Sequence, residues 1–433
     1  MQKSNWKKCK LSDVADVRDG THDSPKEVSV GGFPLVTSRH ISNGRVDLRD
    51  TYNISEKDFN AINLRSKVDG GDILISMIGT VGQIAYVASD PRYAIKNVGL
   101  IKPNKWEISK YIFYYLKSPT AQEDIVSRLK GTTQQYLSLG ELRNFPITLP
   151  PLEEQKRIAE ILGSLDDKIE LLQKQNKTLE DMAKALFKSW FVDFDVVRAK
   201  QKGLPKADIM REYHLTDDLY DLFPSSFADS PLGPIPSGWE VVKISDVARV
   251  VGGGTPSTKQ TKFFSASGTA IAWLTPKDLS GYQYKYIDHG QTDITQEGLT
   301  HSSAQLMPTN SIVFSSRAPI GYIAISLGEI ATNQGFKSLV PLERHWTEFL
   351  YQYLCYNRYI IEGLGTGSTF KEVSGSVMKN ISLCFPSSEI LKAFEQETEI
   401  INSKQKIIMK EIQTLTELRD TLLPRLISGK IRV

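Results

Sequence analysis

The sequence of 433 residues contains little cysteine and no long apolar run. Its three cysteines, Cys9, Cys355 and Cys384, lie far apart without a Cys-x-x-Cys pair, which excludes a disulfide framework and a cysteine zinc site and suits a reducing compartment. The longest mostly apolar stretch, Ile73 to Ala88, is interrupted by polar residues and is shorter than the roughly 20 residues that cross a bilayer. No apolar segment follows the lysines of Met1 to Lys10, so no secretory signal is predicted. We expect a cytoplasmic protein without a membrane partner.

Catalytic motifs are also missing. The sequence has no Walker phosphate loop, no His-Glu-x-x-His, no EF-hand loop and no Gly-x-Ser-x-Gly elbow. The six histidines occur singly, which argues against a metal cluster. The single Pro-Pro pair, Pro150-Pro151, is flanked by leucines, so the Asn/Asp-Pro-Pro-aromatic tetrapeptide of a base-methylating site is absent. The sequence therefore predicts no catalytic residue, no metal and no cofactor in this chain.

An internal duplication organises the chain. Trp6 to Val17 (WKKCKLSDVADV) matches Trp239 to Val250 (WEVVKISDVARV), and further matches follow at offsets of about 233 to 239 residues. Among them, Asn97-Val98-Gly99 faces Asn333-Gln334-Gly335, and the run from Gly131 to Tyr136 faces the run from Gly365 to Phe370. The chain therefore contains two similar domains of about 150 residues each.

Each copy has the pattern of a small α+β domain. Short β-branched runs, separated by Gly, Pro, Asn and Ser, predict strands at 73–75, 84–87, 312–314 and 322–325. Apolar residues at helical spacing predict one helix per copy, at 109–117 and 346–357.

A heptad pattern follows each copy, over residues 152–200 and 389–433. The apolar positions of the first segment are Ile158, Leu162, Leu165, Ile169, Leu172, Leu179, Ala183 and Leu186, and those of the second are Phe394, Ile401, Ile408, Ile412, Leu415, Leu422 and Leu426. Helices of some 35 to 45 residues are about 50 to 65 Å long, more than one small domain can cover. We expect an antiparallel coiled coil, in which Asn176 either fixes the register or faces solvent. The alternative is two amphipathic helices that each pack on their own domain.

Five segments result from this pattern: a first domain (1–151), a central helix (152–200), a connector with five prolines (201–238), a second domain (239–388) and a C-terminal helix (389–433). Residues 1–151 carry 21 basic and 16 acidic residues, against a net charge of +3 for the whole chain, which suggests a polyanionic partner. Two similar domains with matched helices can be arranged about a pseudo-twofold axis, with the helices as a spacer. That arrangement suits a duplex read at two separate half-sites, about 34 Å apart, which differ because the domains differ.

The whole chain resembles the specificity (S) subunit of type I restriction-modification systems. The motifs that carry the resemblance are Leu11-Ser12-Asp13-Val14, Leu149-Pro150-Pro151-Leu152-Glu153-Glu154-Gln155, Leu222 to Trp239, Ile244-Ser245-Asp246-Val247, Thr332 to Lys337, Gly365 to Lys371, and Leu422 to Ile431. The first copy departs from the pattern at Lys96-Asn97-Val98-Gly99-Leu100, where the second has the fuller motif.

The resemblance implies two target recognition domains, each of which reads one half of a split, asymmetric sequence in double-stranded DNA. It also implies that the helices form a spacer on which two methyltransferase subunits dock, and that a restriction and translocase subunit joins that core. S-adenosylmethionine, ATP and Mg²⁺ are then expected on the partner subunits.

Candidate DNA-contacting residues lie in loops, where a side chain can reach a base edge or a phosphate. They are Arg39, His40, Gln134, Gln135, Tyr136, Lys277, Arg317, Ser368, Thr369, Phe370 and Lys371, with Thr21, His22, Arg143 and Thr255 as further candidates. Solvated loop charges are the alternative for Arg39, His40 and Lys277, and a core anchor is the alternative for Tyr136 and Phe370.

Two other functions compete with DNA recognition. A fused methyltransferase would need a cofactor domain and a catalytic tetrapeptide, which the sequence lacks. A coiled-coil scaffold with two sugar- or protein-binding domains would not co-purify with nucleic-acid enzymes.

Overall fold

The computed structural model describes residues 6–367 and 371–433. The chain divides into unit 1, residues 1–171 and 413–433, and unit 2, residues 172–412. Each unit holds one of the two repeated domains and half of each of two long helices. Within the described ranges, no helix is long and apolar enough to span a membrane.

Unit 1 is a mixed α/β domain. Its strands are β1 (Lys7–Lys10), β2 (Ala15–Asp19), β3 (Phe33–Val36), β4 (Ile41–Ser42), β5 (Arg45–Val46), β6 (Asn53–Ile54), β7 (Ile73–Ser76), β8 (Ile84–Tyr86), β9 (Ala94–Ile95), β10 (Val98–Pro103) and β11 (Pro146–Leu149). Its helices are α1 (Glu56–Ser66), α2 (Ser109–Lys117), α3 (Pro119–Ser127), α4 (Leu139–Arg143) and the first half of α5 (Leu152–Phe191).

The main sheet of unit 1 has the order β2-β10-β7-β8 and is antiparallel throughout. The predicted strands at 73–75 and 84–87 are its β7 and β8, and the predicted helix at 109–117 is α2. Every residue of β7 is buried, because its apolar residues face cores on both sides of the sheet. Strands β6, β3 and β9 form a second sheet, in which β3 pairs with β9 in parallel, and a bridge between Thr21 and Lys96 joins the end of β9 to the end of β2.

Unit 2 contains the remaining elements. Its strands are β12 (Phe227–Ala228), β13 (Ile235–Pro236), β14 (Glu240–Lys243), β15 (Ala248–Gly252), β16 (Phe264–Ala266), β17 (Ala272–Leu274), β18 (Tyr286–Ile287), β19 (Thr292–Ile294), β20 (Ile312–Ser316), β21 (Ile320–Ser326), β22 (Ile330–Thr332), β23 (Lys337–Pro341) and β24 (Ser382–Phe385). Its helices are α6 (Asp195–Gln201), α7 (Lys206–Glu212), α8 (Asp217–Leu222), α9 (Ile244–Val247), α10 (Gln296–Thr300), α11 (Thr347–Tyr356), α12 (Arg358–Gly363), α13 (Gly375–Lys379) and α14 (Ser388–Ile427), of which the last continues into unit 1.

The strand connections of unit 2 repeat those of unit 1. Its main sheet runs β15-β23-β20-β21, with β18 added at one edge, and β17 pairs with β22 in parallel as β3 pairs with β9. The pairs β1–β11 and β14–β24 are also equivalent. The duplication seen in the sequence is therefore a duplication of topology.

The long helices α5 and α14 have 40 residues each. In unit 2, Phe187 and Trp190 of α5 contact Phe394 of α14, whereas Glu180 accepts a hydrogen bond from Gln405. Later residues of α5 thus meet earlier residues of α14, so the two segments run antiparallel there. In unit 1 the same direction follows from Asp166, which accepts from Arg419 at 2.8 Å, and from Leu162, which shares a core with Leu423, Leu426 and Ile427.

The buried faces of these helices match the predicted heptads in part. On α5, Ile158, Leu162, Ile169, Leu172, Asn176 and Ala183 are buried, and Leu165, Leu179 and Leu186 are half-buried. On α14 the buried face is displaced by one residue at several turns. There Asn402, Met409 and Leu423 are buried, while the predicted Ile401, Ile408 and Leu422 are half-buried, as is Leu415, and Ile412 is buried.

The central helix ends earlier than predicted. It stops at Phe191 instead of continuing to Lys200, because Phe194 adopts a left-handed conformation (φ 54°) before the short helix α6 begins. The C-terminal helix α14 continues through Pro424 to Ile427, and Pro424 lacks the N–H that would donate to the carbonyl oxygen of Asp420.

The proline-rich segment 201–238 is more than a connector. Its helices α7 and α8 bury Ile209 and Leu219, and Leu215 and Phe223 join the same core of unit 2. Lys200 fixes the segment by donating to the carbonyl oxygens of Tyr220 and Phe223. The five prolines of the segment are typical of a linker, but its apolar residues are sufficient to pack it against the core of unit 2.

Candidate nucleic-acid interface

One edge of the main sheet in unit 1 gathers most of the candidate residues of the first copy. Because β10 is antiparallel to β2 and to β7, the end of β2, the start of β10 and the end of β7 meet at one edge. Beyond these strand ends lie Thr21 and His22, Asn97, and Ile78 respectively. We call this edge surface 1.

Arg39 is placed at surface 1 by a short 3-10 turn, Ser38–His40, that follows β3. The Ser38 hydroxyl donates to the Asn97 carbonyl at 3.2 Å, which fastens the turn to the sheet edge. The Arg39 side chain is exposed, with its Nη2 3.3 Å from the carbonyl oxygen of Asp50. A guanidinium in this position can reach a DNA phosphate or base.

His40, by contrast, is buried and only 3% exposed. Its Nδ1 lies 2.9 Å from the backbone nitrogen of Thr37, and its Nε2 lies 2.9 Å from Nε of Arg39. Because N–H donors face both ring nitrogens, protonation is disfavoured, and burial together with the Arg39 charge lowers the His40 pKa. The structure makes His40 a buried support of the turn and does not bring it to the exposed surface.

Gln134, Gln135 and Tyr136 lie in an exposed loop at surface 1. The loop is closed by two backbone hydrogen bonds of 2.9 Å between Lys130 and Tyr136. Tyr136 also forms a bridge with Ile78, which attaches the loop to the end of β7. The Tyr136 side chain is 41% exposed, so it is not a core anchor, and the two amides are free to meet a ligand.

Thr21 and His22 follow β2 at the same edge. His22 Nδ1 lies 2.8 Å from Oδ1 of Asn97, and Nε2 lies 3.0 Å from Oδ2 of Asp19. Asn97 has φ 52° and belongs to surface 1, although the sequence singled it out only as part of the repeat. Arg143 is exposed on α4, where its Nε donates to the Val17 carbonyl at 3.0 Å, so it stands beside the middle of β2 and not at its end.

The corresponding edge in unit 2, surface 2, is built in the same way. A 3-10 turn, Pro276–Leu279, follows β17 and carries Lys277, whose side chain is exposed. Asp278 closes this turn, since its carboxylate accepts from the backbone and the hydroxyl of Thr275, both at 2.7 Å. Thr255, beyond β15, donates to Oε1 of Gln334, a residue that lies beyond β22 next to Asn333.

A second closed loop lies at surface 2. Thr366 and Glu372 exchange two backbone hydrogen bonds of 3.0 and 2.9 Å, and Glu372 bridges to Arg317 at the end of β20. The structural counterpart of Tyr136 is therefore Glu372 and not Phe370, a shift of two residues from the alignment of the sequences. Lys371 is exposed in this loop, whereas the candidates Ser368, Thr369 and Phe370 lie outside the described residues.

The charges of the second loop are partly paired. The Glu372 carboxylate lies 3.0 Å from Nζ of Lys337 and 3.6 Å from Nη1 of Arg317. The guanidinium of Arg317 is therefore held beside a carboxylate at the rim of the surface. Within the described ranges, no group of His, Cys, Asp and Glu could hold a metal ion. The two surfaces thus offer cations, amides and hydroxyls, which are groups for binding.

Two glycines bring the backbones of these edges together. A Cβ at Gly20 would lie 2.3 Å from the carbonyl oxygen of Ile95, and one at Gly253 would lie 2.1 Å from that of Asn333. No side chain fits at either position, so the strand ends touch the segments that carry Asn97 and Gln334.

Comparison with known proteins gives a consistent result. A family model described as "Type I restriction modification DNA specificity domain" matches residues 3–181 and 236–426. The "Type I restriction enzyme HindI specificity subunit" of Haemophilus influenzae is 26% identical over 99% of this chain and 100% of its own length. The MjaIX specificity subunit of Methanocaldococcus jannaschii is 38% identical over 42% of this chain and 43% of its own length.

A solved structure shares the fold. The crystal structure of the S subunit of a type I restriction-modification system from M. genitalium superposes with a TM-score of 0.57 at 16% identity, over 98% of this chain and 97% of that one.

Proposed function

Because the chain belongs to the family of type I restriction-modification DNA specificity domains, we propose that it reads a bipartite, asymmetric DNA target with one half-site per repeated domain. The observation that carries this proposal is the pair of equivalent sheet edges, surfaces 1 and 2. Their backbones are built alike, but Gln135 on surface 1 corresponds to Lys371 on surface 2, and Ile78 on surface 1 corresponds to Arg317 on surface 2. Two identical surfaces would favour a palindrome, whereas two different ones favour two different half-sites.

We assign the chain recognition without catalysis. Base modification, ATP-driven translocation and cleavage then belong to two methyltransferase subunits and to restriction and translocase subunits. Those partners would bind S-adenosylmethionine, ATP and Mg²⁺. A complex of this kind acts on chromosomal DNA, which agrees with a cytoplasmic location.

The helices α5 and α14 are proposed as a coiled-coil spacer with pseudo-twofold symmetry, on which the methyltransferase subunits dock. Three features support this: equal lengths of 40 residues, antiparallel contacts in each unit, and a repeated topology around them. The buried Asn176 favours a register-fixing role over solvation.

Mapping methylated bases across the genome, with and without the coding sequence, tests this function. Loss of one split, asymmetric motif on deletion is the expected result, and exchange of residues 1–151 for those of a relative should then change one half of it. If no motif disappears although a methyltransferase co-purifies with the tagged chain, the proposal is refuted. A scaffold would bring down no such enzyme.

A further inference from the structure

Arg39 and Lys277 occupy equivalent positions on the two surfaces. Each is the second residue of a 3-10 turn that begins after a threonine, Thr37 or Thr275, and each follows the strand of a parallel pair. Both side chains are exposed at the same end of their main sheets. A positive charge is therefore presented at the same place in both copies.

These two charges are not neutralised within the protein. The neighbours of the Arg39 guanidinium are the His40 ring and the carbonyl oxygen of Asp50, which carry no negative charge. Among the described residues, no carboxylate forms an ion pair with Arg39 or Lys277. Two other cations of these surfaces differ in this respect, since Lys130 pairs with Glu141 at 3.2 Å and Arg317 lies 3.6 Å from Glu372.

The repetition of the charge limits what it can recognise. A positive charge that both surfaces carry cannot distinguish two different half-sites. A phosphate, by contrast, is present at every nucleotide step of both half-sites, so each charge can bind one. We propose that Arg39 and Lys277 each bind a DNA phosphate and set the position of their domain on the duplex. This proposal rests on the proposed function.

Base discrimination then falls to the positions at which the two surfaces differ. On surface 1 these are the amides of Gln134 and Gln135, and a glutamine can pair with adenine through two hydrogen bonds. On surface 2 they include Arg317, whose guanidinium is held by Glu372 and suits the acceptors of guanine. His22 on surface 1 and Thr255 on surface 2 are a further pair of differing residues.

The test compares binding to two duplexes by the complex purified through a tag on this chain. One duplex carries the methylated motif mapped for the wild type, and the other has both half-sites scrambled. Arg39→Gln and Lys277→Gln should each weaken binding to both duplexes by the same factor, about 8-fold at 0.1 M salt and about 2-fold at 0.4 M, because one phosphate contact contributes about 0.9 to the salt slope. The pair Gln134→Ala and Gln135→Ala should weaken binding to the mapped duplex alone, by about 5- to 150-fold, without changing the slope.

Two controls separate charge from fold. Arg39→Lys should keep both the affinity and the salt slope, as the lysine of the second surface does. Lys105→Gln removes an exposed charge at the opposite end of β10 and should change neither.

The outcomes distinguish this inference from the proposed function. If the wild-type complex binds both duplexes equally, the proposed function fails, and the division of roles fails with it. If the wild type prefers the mapped duplex but Arg39→Gln affects that duplex only, or leaves the salt slope unchanged, Arg39 reads a base and the inference alone is overturned.

Discussion

Replacing Glu348 should destabilise unit 2 by about 3–5 kcal/mol, because it would leave a buried ammonium without its counter-ion. Lys285 and Glu348 form an ion pair in which their side chains are only 1% and 4% exposed. Lys285 Nζ lies 2.7 Å from Oε1 of Glu348 and donates to Oδ1 of Asn402 at 2.7 Å. Asn402 and Gln352 donate to the same carboxylate at 3.1 and 3.0 Å.

The charge and not the shape decides this magnitude. Glu348→Gln keeps the volume and most of the hydrogen bonds, so its effect reports the unpaired Lys285 charge. Replacing the whole cluster by apolar residues, as in Lys285→Met with Glu348→Leu and Asn402→Leu, should be less damaging than the single change, because no buried charge remains. The matched control is Glu297→Gln, which removes the exposed pair with Lys262 and should change stability by less than about 0.5 kcal/mol.

Urea unfolding followed by tryptophan fluorescence measures the difference. Unit 2 contains Trp190, Trp239, Trp273 and Trp346, so a background with Trp6→Phe and Trp106→Phe limits the signal to this unit. A loss below about 1 kcal/mol for Glu348→Gln, or a triple variant less stable than the single one, would refute the reasoning. Since Asn402 belongs to α14 and Glu348 to α11, the same cluster fixes the long helix to the domain within unit 2.

Three further predictions concern other parts of the molecule. Burial and the Arg39 charge lower the His40 pKa, so below pH 6.5 the unfolded chain gains a proton that the folded chain resists. Stability should therefore fall as the pH drops, by about 1.4 kcal/mol for each pH unit until the pKa of the folded chain is passed, and His40→Gln should remove this part of the pH dependence of Tm between pH 8 and 5. Gly253→Ala should cost about 1–3 kcal/mol and impair recognition of the second half-site only, whereas Gly252→Ala, whose Cβ meets open space, should behave as the wild type in thermal unfolding and in the mapped motif. Cys355 and Cys384 are partly buried, which raises the pKa of both thiols to about 12, so iodoacetamide at pH 8 should label them slowly in the folded chain and rapidly in denaturant; rapid labelling of these two cysteines in the folded chain, detected by mass spectrometry, would contradict the raised pKa.

Local pattern predicted the repeated elements well. Helix α11 was expected at 346–357 and spans Thr347–Tyr356, and the strand expected at 312–314 is β20, Ile312–Ser316. These elements are amphipathic or wholly apolar, so their periodicity survives in the sequence. The end of the central helix could not be predicted in this way, because the left-handed backbone of Phe194, just beyond the helix, is not indicated by its residue type.

Contacts between residues distant in the sequence could not be predicted from local pattern. Lys285 and Glu348 are 63 residues apart, and each alone reads as a surface charge. The position of His40 was missed for a related reason. A histidine next to an arginine in a loop looks available to a ligand, but the ring turns inward to accept from the backbone of its own 3-10 turn. Both cases show polar groups whose partner, and not their type, determines burial.

Duplication within one chain explains why the candidate surfaces combine constant and variable residues. In a dimer of identical chains, each substitution changes both half-sites at once, so both surfaces must stay compatible with one sequence. In this chain Gln134 and Arg317 could diverge independently, while the glycines and the capped turns that build the edges had to be kept in both copies. The backbone shared by the two sheet edges therefore limits the positions at which a substitution can change the DNA target. An exchange of residues 132–135 alone should alter the first half-site without altering the stability of either unit, because those residues are exposed and the loop is closed by the backbone of Lys130 and Tyr136. Gly131 is kept, since its φ of 92° favours glycine.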